Sequence, residues 1–455
     1  MTLKFCKNSL RLLYISVATA DIALFAVYFL LRTQSFGPLD FIRAQLDLRH
    51  ENVAAVWYSG IILFLTSIAA LLCFHVDSRI GSSPKFGNIL RYGWLVIALM
   101  FAGFSFDEIG SIHERSDLIV SGAFYTLGLA GWVGVLWPFM ALVFSYFVLF
   151  FYFYLSRSRI SQVLALIGGG LLISVPVQEF LESKIRLGGQ TRGTVLGMLE
   201  EGSEIIGTTL ILISFLEFAI MISRLRSAKG FVSPEPGNLI QIRISDQFVK
   251  LTYSLVVLSA IASVAMAWFL VPHLRDLHHR GNPSVWHPSL ALFVAGVVAF
   301  INFSLECKNR NRLRGYSFKW TWVLVGVVCL WFSVEFESGI NTWIYTSIKS
   351  LSALFFISAR AGEILLSVII VAIGSAAFLA VAGIRVNRSS RWLFCLGVLS
   401  WAGVFAAGSW EIKEALKIIS PSLFLVSFIE SMKYLYVPVA PKSFCAGLEY
   451  NPLRT

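Results

Sequence analysis

Residues 54–75 read AAVWYSGIILFLTSIAALLCFH. The run holds no Asp, Glu, Lys or Arg. It is long enough for a helix to cross the hydrocarbon core of a bilayer, which takes about 20 apolar residues. It does not alternate apolar and polar positions as a half-buried strand does. A backbone surrounded by lipid must satisfy its own hydrogen bonds, which a helix does within one segment. The run therefore reads as a transmembrane helix. Similar runs lie near 11–31, 89–109, 132–155, 160–181, 193–222, 250–271, 286–306, 320–340, 362–384, 392–410 and 421–438, making twelve expected spans. Composition agrees: 57% of the 455 residues are hydrophobic, 14% are charged, and mean hydropathy is +0.74. Soluble domains carry roughly 25% charged residues. The expected fold class is an all-α membrane protein.

Charge sets the expected orientation. Connections assigned alternately to two sides place 24 of the 37 Lys and Arg on the side that holds both termini. The positive-inside rule makes that side cytoplasmic. Nineteen of the 26 acidic residues then fall toward the opposite face. The net charge of +11 is no nucleic-acid signal, because the basic residues sit between apolar runs, where they orient helices. The N-terminal run resembles a signal peptide but is too long for one, contains Asp21 and lacks a clear cleavage site, so it reads as a retained first helix. The six cysteines form no CxxC pair and no disulfide framework.

The chain reads as two related halves. Asp47-Leu48-Arg49-His50, Trp57 and Phe64 recur as Asp276-Leu277-His278-His279, Trp286 and Phe293, at an offset of 229. Trp94, Ser105 and Asp107 match Trp322, Ser333 and Glu335 at 228, and Glu179 and Glu182 match Glu411 and Glu414 at 232. Residues 1–222 form the first six-helix unit, 223–249 a cytoplasmic linker around Pro234-Glu235-Pro236-Gly237, and 250–455 the second unit. An even number of spans per unit makes the repeats parallel, related by an axis along the membrane normal. Glu201 is expected to correspond to Glu430, while Glu51, Glu108 and His113 become Arg280, Phe336 and Asn341. The second unit therefore reads as a degenerate copy.

The acids of the first unit make a constellation. Span three ends in Asp107-Glu108 with His113-Glu114 beyond it, span five ends in Glu179 and Glu182, and span six begins with Glu200, Glu201 and Glu204. Glu51 precedes span two. All of these lie toward the outer face. Glu179 and Glu182 share a helix face, as do Glu200 and Glu204. Gly168-Gly169-Gly170 is expected to let span five approach a neighbour closely. Clustered carboxylates need protonation, a cation or a basic partner. Oxygen donors with one imidazole suit magnesium, calcium, manganese, iron or zinc. Three readings stay open: a metal site, proton or cation carriage, and a structural network paired with Arg186 and Arg192. Asp21 has no partner visible in the sequence, and a packing role and a proton-relay role are equally open. Trp57, Trp137, Trp286 and Trp343 read as interfacial belts.

The Glu51-Asn52…Trp57-Tyr58-Ser59, Ser105-Phe106-Asp107-Glu108…His113-Glu114 and Glu200-Glu201…Glu204…Gly207 segments resemble a family of uncharacterised bacterial polytopic membrane proteins with DExxxxHE and EExxE motifs. The resemblance covers residues 46–207 and implies a multi-pass protein of the bacterial inner membrane, with no mechanism attached. Taken together, the residues suggest a metal-dependent enzyme acting on a lipid or lipid-linked substrate. Asp107, His113, Glu179, Glu200 and Glu204 would bind a divalent metal ion, with Glu108 and Glu204 as catalytic groups and Glu51, Glu114, Glu182 and Glu201 in support. A metal would lower the pKa of a bound water. The alternatives are a cation- or proton-coupled transporter moving a cationic small molecule, and a structural subunit of a membrane complex.

Overall fold

The computed structural model describes residues 2–32, 45–46, 53–77, 91–110, 131–187, 193–228, 239–243, 246–269, 285–308, 319–338, 388–406 and 410–435. The described helices are α1 (Lys7–Arg32), α2 (Ala54–Asp77), α3 (Gly93–Gly110), α4 (Gly131–Tyr154), α5 (Arg159–Leu187), α6 (Gly193–Ala228), α7 (Asp246–Phe269), α8 (Trp286–Lys308), α9 (Lys319–Ser338), α10 (Arg388–Ala406) and α11 (Trp410–Leu435). The expected span near 362–384 lies outside the described residues. Among the described residues, α1, α2, α3, α5, α6, α8 and α11 each contain a stretch long and apolar enough to cross a membrane, while α4, α7 and α9 carry shorter apolar stretches. By length and composition the chain is a multi-pass helical membrane protein.

Two features depart from the sequence reading. Thr2–Cys6 (β1) pairs antiparallel with Leu239–Arg243 (β2), Thr2 opposite Arg243 and Cys6 opposite Leu239. This ribbon ties the N-terminus to the linker segment that the sequence presented as a plain connection. The polar stretch 411–420, read as an outer connection, is helical and belongs to α11. Its charges, Glu411, Lys413, Glu414 and Lys417, mimic a loop. Pro421 lies inside α11. Proline removes one backbone donor and leaves the carbonyl four residues back open. The flanking Ser420 and Ser422 hydroxyls bond the Leu416 and Ile418 carbonyls of their own helix at 2.9 and 3.1 Å.

Small residues set the closest helix contacts. A Cβ added at Gly168 of α5 would stand 2.5 Å from the Gly207 carbonyl of α6, and one at Gly207 would stand 2.9 Å from the Gly168 carbonyl. The expected close approach of span five is thus made at Gly168, with α6 as the partner. Gly170 meets nothing within 4 Å. In lipid no hydrophobic force pulls helices together, so such backbone proximity and interhelical hydrogen bonds carry the packing. Trp94 of α3 is fully buried among Phe150 of α4 and Phe215 and Phe218 of α6, with ring centroids 5.1–5.2 Å away. Trp322 of α9 is likewise buried and packs on Phe428 of α11 at 5.7 Å.

Similar helix contacts occur in the two parts of the chain. α2 lies against α3 and α6, and α5 against α6; α8 lies against α9 and α11, and α10 against α11. Individual bonds follow suit. Cys73 Sγ donates to the Phe215 carbonyl and Asn302 Nδ2 to the Phe428 carbonyl, both at 3.1 Å. Ser214 donates to the Ser161 carbonyl at 2.6 Å, and Ser427 to the Ser390 carbonyl at 2.8 Å. Ser105 donates to the Gly60 carbonyl at 2.8 Å, and Ser333 to the Ser289 carbonyl at 2.7 Å. Corresponding residues stand 229 or 228 positions apart before α6 and 213 apart between α6 and α11.

Two of the expected sequence pairings do not share this spacing. Glu411 and Glu414 lie on α11, which packs as α6 does, whereas Glu179 and Glu182 lie on α5. The offset of 232 therefore joins unlike helices. Glu430, two residues beyond Phe428, falls in register with Glu217 and not with Glu201.

The parts meet through reciprocal contacts. Trp57 Nε1 of α2 donates to Ser333 Oγ of α9 at 2.9 Å, and Trp286 Nε1 of α8 donates to Ser105 Oγ of α3 at 3.2 Å. Trp57 packs edge-on to Phe293 at 6.1 Å, and Trp286 edge-on to Phe64 at 6.5 Å. These two tryptophans, read as interfacial belt residues, instead join helices across the middle of the chain. Trp137 and Trp343 lie outside the residues whose side chains are described.

Candidate functional site

Asp107 and Glu108 sit half-buried in the last turn of α3, and Glu200, Glu201 and Glu204 sit half-buried near the start of α6. Packing on both sides holds this part of α6. Ile205 is buried with Tyr28 of α1 and with Val53, Ala55 and Val56 at the start of α2. Gly202 lies over Phe25 of α1, where an added Cβ would stand 3.1 Å from the ring. Ser203 receives a hydrogen bond from Gln178 of α5 at 3.1 Å. Gln45 Oε1 accepts from the Ala54 amide at 3.2 Å, capping α2, and its Nε2 donates to the Ser338 carbonyl of α9 at 3.3 Å.

Glu179 and Glu182 lie on the helix of α5 that follows Pro176, but their side chains fall outside the described residues, as do Glu51, His113 and Glu114. Among the described residues, no group of three or more His, Cys, Asp and Glu side chains is arranged to hold a metal ion. Asp107 and Glu108 thus belong to α3 and the glutamates of 200–204 to α6, with no such group joining them among those residues.

Titratable groups are also paired inside the helix bundle. Asp21 of α1 is 4% exposed. The Tyr58 hydroxyl of α2 donates to its Oδ1 at 2.6 Å, and Thr209 of α6 stands beside the same carboxyl group. Two turns earlier on α1, Tyr14 faces Glu217 of α6. Seven residues of helix advance about 10 Å. Along α1 an acid therefore meets a tyrosine at two successive levels, once with Tyr58 of α2 and once with Glu217 of α6. In the other part, the Tyr253 hydroxyl of α7 donates to Glu430 of α11 at 2.6 Å. His287, at the start of α8, is 4% exposed. Its Nδ1 is 2.8 Å from Ser259 Oγ of α7 and its Nε2 is 2.7 Å from Ser422 Oγ of α11.

At the far ends of α2 and α8 two more acids are held. Tyr154 and Arg157 both bond Asp77, the arginine at 3.5 Å. Trp322 Nε1 donates to Glu306 at 3.1 Å. Asp77 and Glu306 again stand 229 apart.

Sequence reasoning singled out Asp21 without a partner, named Tyr58 only within a family segment, and passed over Tyr14, Glu217, Tyr253 and His287. A signal existed: Tyr58 and His287 share the 229 offset, and Glu217 and Glu430 share 213. It was hidden because Glu430 had been aligned with Glu201, and because a tyrosine on an apolar helix looks like ordinary packing.

Comparison with known families adds one finding. A family described as "Domain of unknown function (DUF8692)" matches residues 16–218, from within α1 to within α6. Neither a curated protein nor a solved structure matches the chain.

Proposed function

We propose that the protein is a proton-coupled transporter of small cations, built from two related six-helix halves. The observation that carries the reading is the Asp21–Tyr58 pair with Thr209 beside it, buried where α1, α2 and α6 meet. A charged side chain near the centre of a bilayer costs about 2.5–3.5 kcal/mol even on the lenient insertion scale, so such residues usually mark ion or proton paths. The second acid–tyrosine level, Tyr14 with Glu217, supplies a continuation along α1. A carboxyl group that exchanges its proton with a phenol or hydroxyl neighbour passes charge without moving a helix. The carboxylates at the ends of α3 and α6 draw cations to one mouth by their field.

The two-halves reading has its own support. Three pairs of matching hydrogen bonds, the reciprocal Trp–Ser bonds and the shared offsets fit one six-helix plan used twice, with a parallel arrangement of the copies. The family match over 16–218 covers most of one such unit. Doubled helical units with a site at their interface are a familiar transporter plan. With both termini cytoplasmic, the 200–204 acids face outward and Asp77 and Glu306 face inward. A bacterial inner membrane suits this orientation. The metal-dependent enzyme reading takes Asp107, His113, Glu179, Glu200 and Glu204 as ligands, and the His113 and Glu179 side chains lie outside the described residues.

The test is flux. Purified protein is placed in liposomes holding a trapped pH indicator and acid-loaded. Sodium, potassium, magnesium, calcium, manganese and methylammonium are then added in turn. At least one is expected to drive protons out, and Asp21→Asn is expected to abolish the exchange. No cation-driven proton movement by the wild-type chain, or an unchanged rate in the variant, contradicts the reading.

A further inference from the structure

We infer that His287, clamped between Ser259 and Ser422, is a reversible proton-binding site of the second half, occupying the register position that Tyr58 holds in the first. The inference rests on the transporter reading for its role but not for its chemistry. Tyr58 meets Asp21 of α1, and Thr209 of α6 stands beside the same carboxyl group. His287 meets Ser259 of α7 and Ser422 of α11, and Ser422 stands 213 positions after Thr209. The same three-helix junction thus carries an acid with a phenol in one half and an imidazole with two hydroxyls in the other.

The hydroxyls make both protonation states satisfiable. A neutral imidazole has one N–H and one bare nitrogen; the cation has two N–H groups. Each serine has a second acceptor on its own helix: Ser259 Oγ is 3.1 Å from the Val256 carbonyl and Ser422 Oγ is 3.1 Å from the Ile418 carbonyl. With His287 neutral, one serine points its proton at the bare ring nitrogen and the other accepts from the ring N–H. When a proton arrives on the bare nitrogen, that serine turns its O–H to the helix carbonyl and accepts instead. One N–H bond forms, one hydroxyl rotates, and no buried donor or acceptor is left open. A purely structural histidine needs only one of the two arrangements.

The helices packed against α8 carry other titratable groups. These are Tyr253 on α7; Lys417 and Glu430 on α11; Cys329 and Glu335 on α9; and Asp107 and Glu108 on α3. Tyr253 and Glu430 bond each other. Both ring nitrogens of His287 are already engaged by serines, so the protonation of the ring is read out by hydroxyls.

The experiment is nitrogen-15 NMR of histidine-labelled, full-length protein in lipid nanodiscs across a pH series. The chain has seven histidines. The His287 signal is assigned by its loss in His287→Gln or, if that variant does not fold, by elimination with the other six replaced singly. The expected result is conversion from one neutral tautomer to the doubly protonated ring as the pH falls. Ser259→Ala and Ser422→Ala should each lower the proton affinity about tenfold, since a hydrogen bond to a charged group is lost. A ring that keeps one neutral tautomer throughout, or a titration that neither serine variant moves, overturns the inference. The flux assay separates the two proposals: titration without cation-driven proton flux leaves this site standing and removes the transporter, while flux with a silent His287 does the reverse.

Discussion

The reciprocal bonds between Trp57 and Ser333 and between Trp286 and Ser105 yield a sharp energetic expectation. Changing either tryptophan to phenylalanine keeps an aromatic ring against Phe293 or Phe64 and removes one N–H donor. Changing Ser333 or Ser105 to alanine removes the acceptor and also the hydroxyl that bonds the Ser289 or Gly60 carbonyl. Interhelical bonds in membrane proteins average about 0.6 kcal/mol and reach about 1.7. The serine changes should therefore cost more than the tryptophan changes, about 1–2 kcal/mol against about 0.6. Double-mutant cycles isolate the bond itself. Trp57→Phe with Ser333→Ala, and Trp286→Phe with Ser105→Ala, should couple by about 0.6 kcal/mol, the 2.9 Å pair more than the 3.2 Å pair. The crossed cycles should couple by less than about 0.3 kcal/mol. Reversible unfolding in bicelles supplies the free energies. Crossed pairs that couple as strongly as bonded pairs would refute the reciprocal arrangement.

Other expectations follow from single positions. Gly168→Val forces a side chain into the Gly207 carbonyl and should lower stability by about 1–3 kcal/mol in the same unfolding assay, whereas Gly170→Ala should lie within about 0.5 kcal/mol of wild type. Cys307, exposed at the end of α8, should react with a membrane-impermeant maleimide in inverted vesicles and not in intact cells, once the other five cysteines are replaced; labelling from outside reverses the orientation. Tyr58→Phe removes the donor to Asp21 and should slow proton-coupled flux about tenfold without loss of thermal stability beyond about 1 kcal/mol; an unchanged rate separates Tyr58 from the proton path.

The helices were legible because lipid imposes a strong rule: a long apolar run must satisfy its own backbone. Where that rule was diluted, the reading slipped. Four charged residues at the start of α11 looked like a connection between two spans, although the stretch is helical. The β1–β2 pairing joins residues more than 200 positions apart in segments with no alternating pattern long enough to mark a strand. The acids at 107–108 and 200–204 were legible as acids, since charge in an apolar chain stands out. The packing of Gly202, Ser203 and Ile205 against α1, α2 and α5, which holds this part of α6, was not legible. The buried pairs were the least visible. Asp21 finds Tyr58 at a separation of 37 residues and His287 finds Ser422 at 135, and nothing local in the sequence links either pair.

Proton release on cation binding probes the role of Asp21 without any membrane. The protein, in detergent and weakly buffered solution, is mixed with the cation that drives flux, and the released protons are counted with a pH electrode. The wild-type chain should release protons, with the release falling sharply in Asp21→Asn while Gly170→Ala behaves as wild type. Equal release from the wild-type and Asp21→Asn chains would contradict the assignment of Asp21 as the coupled proton carrier.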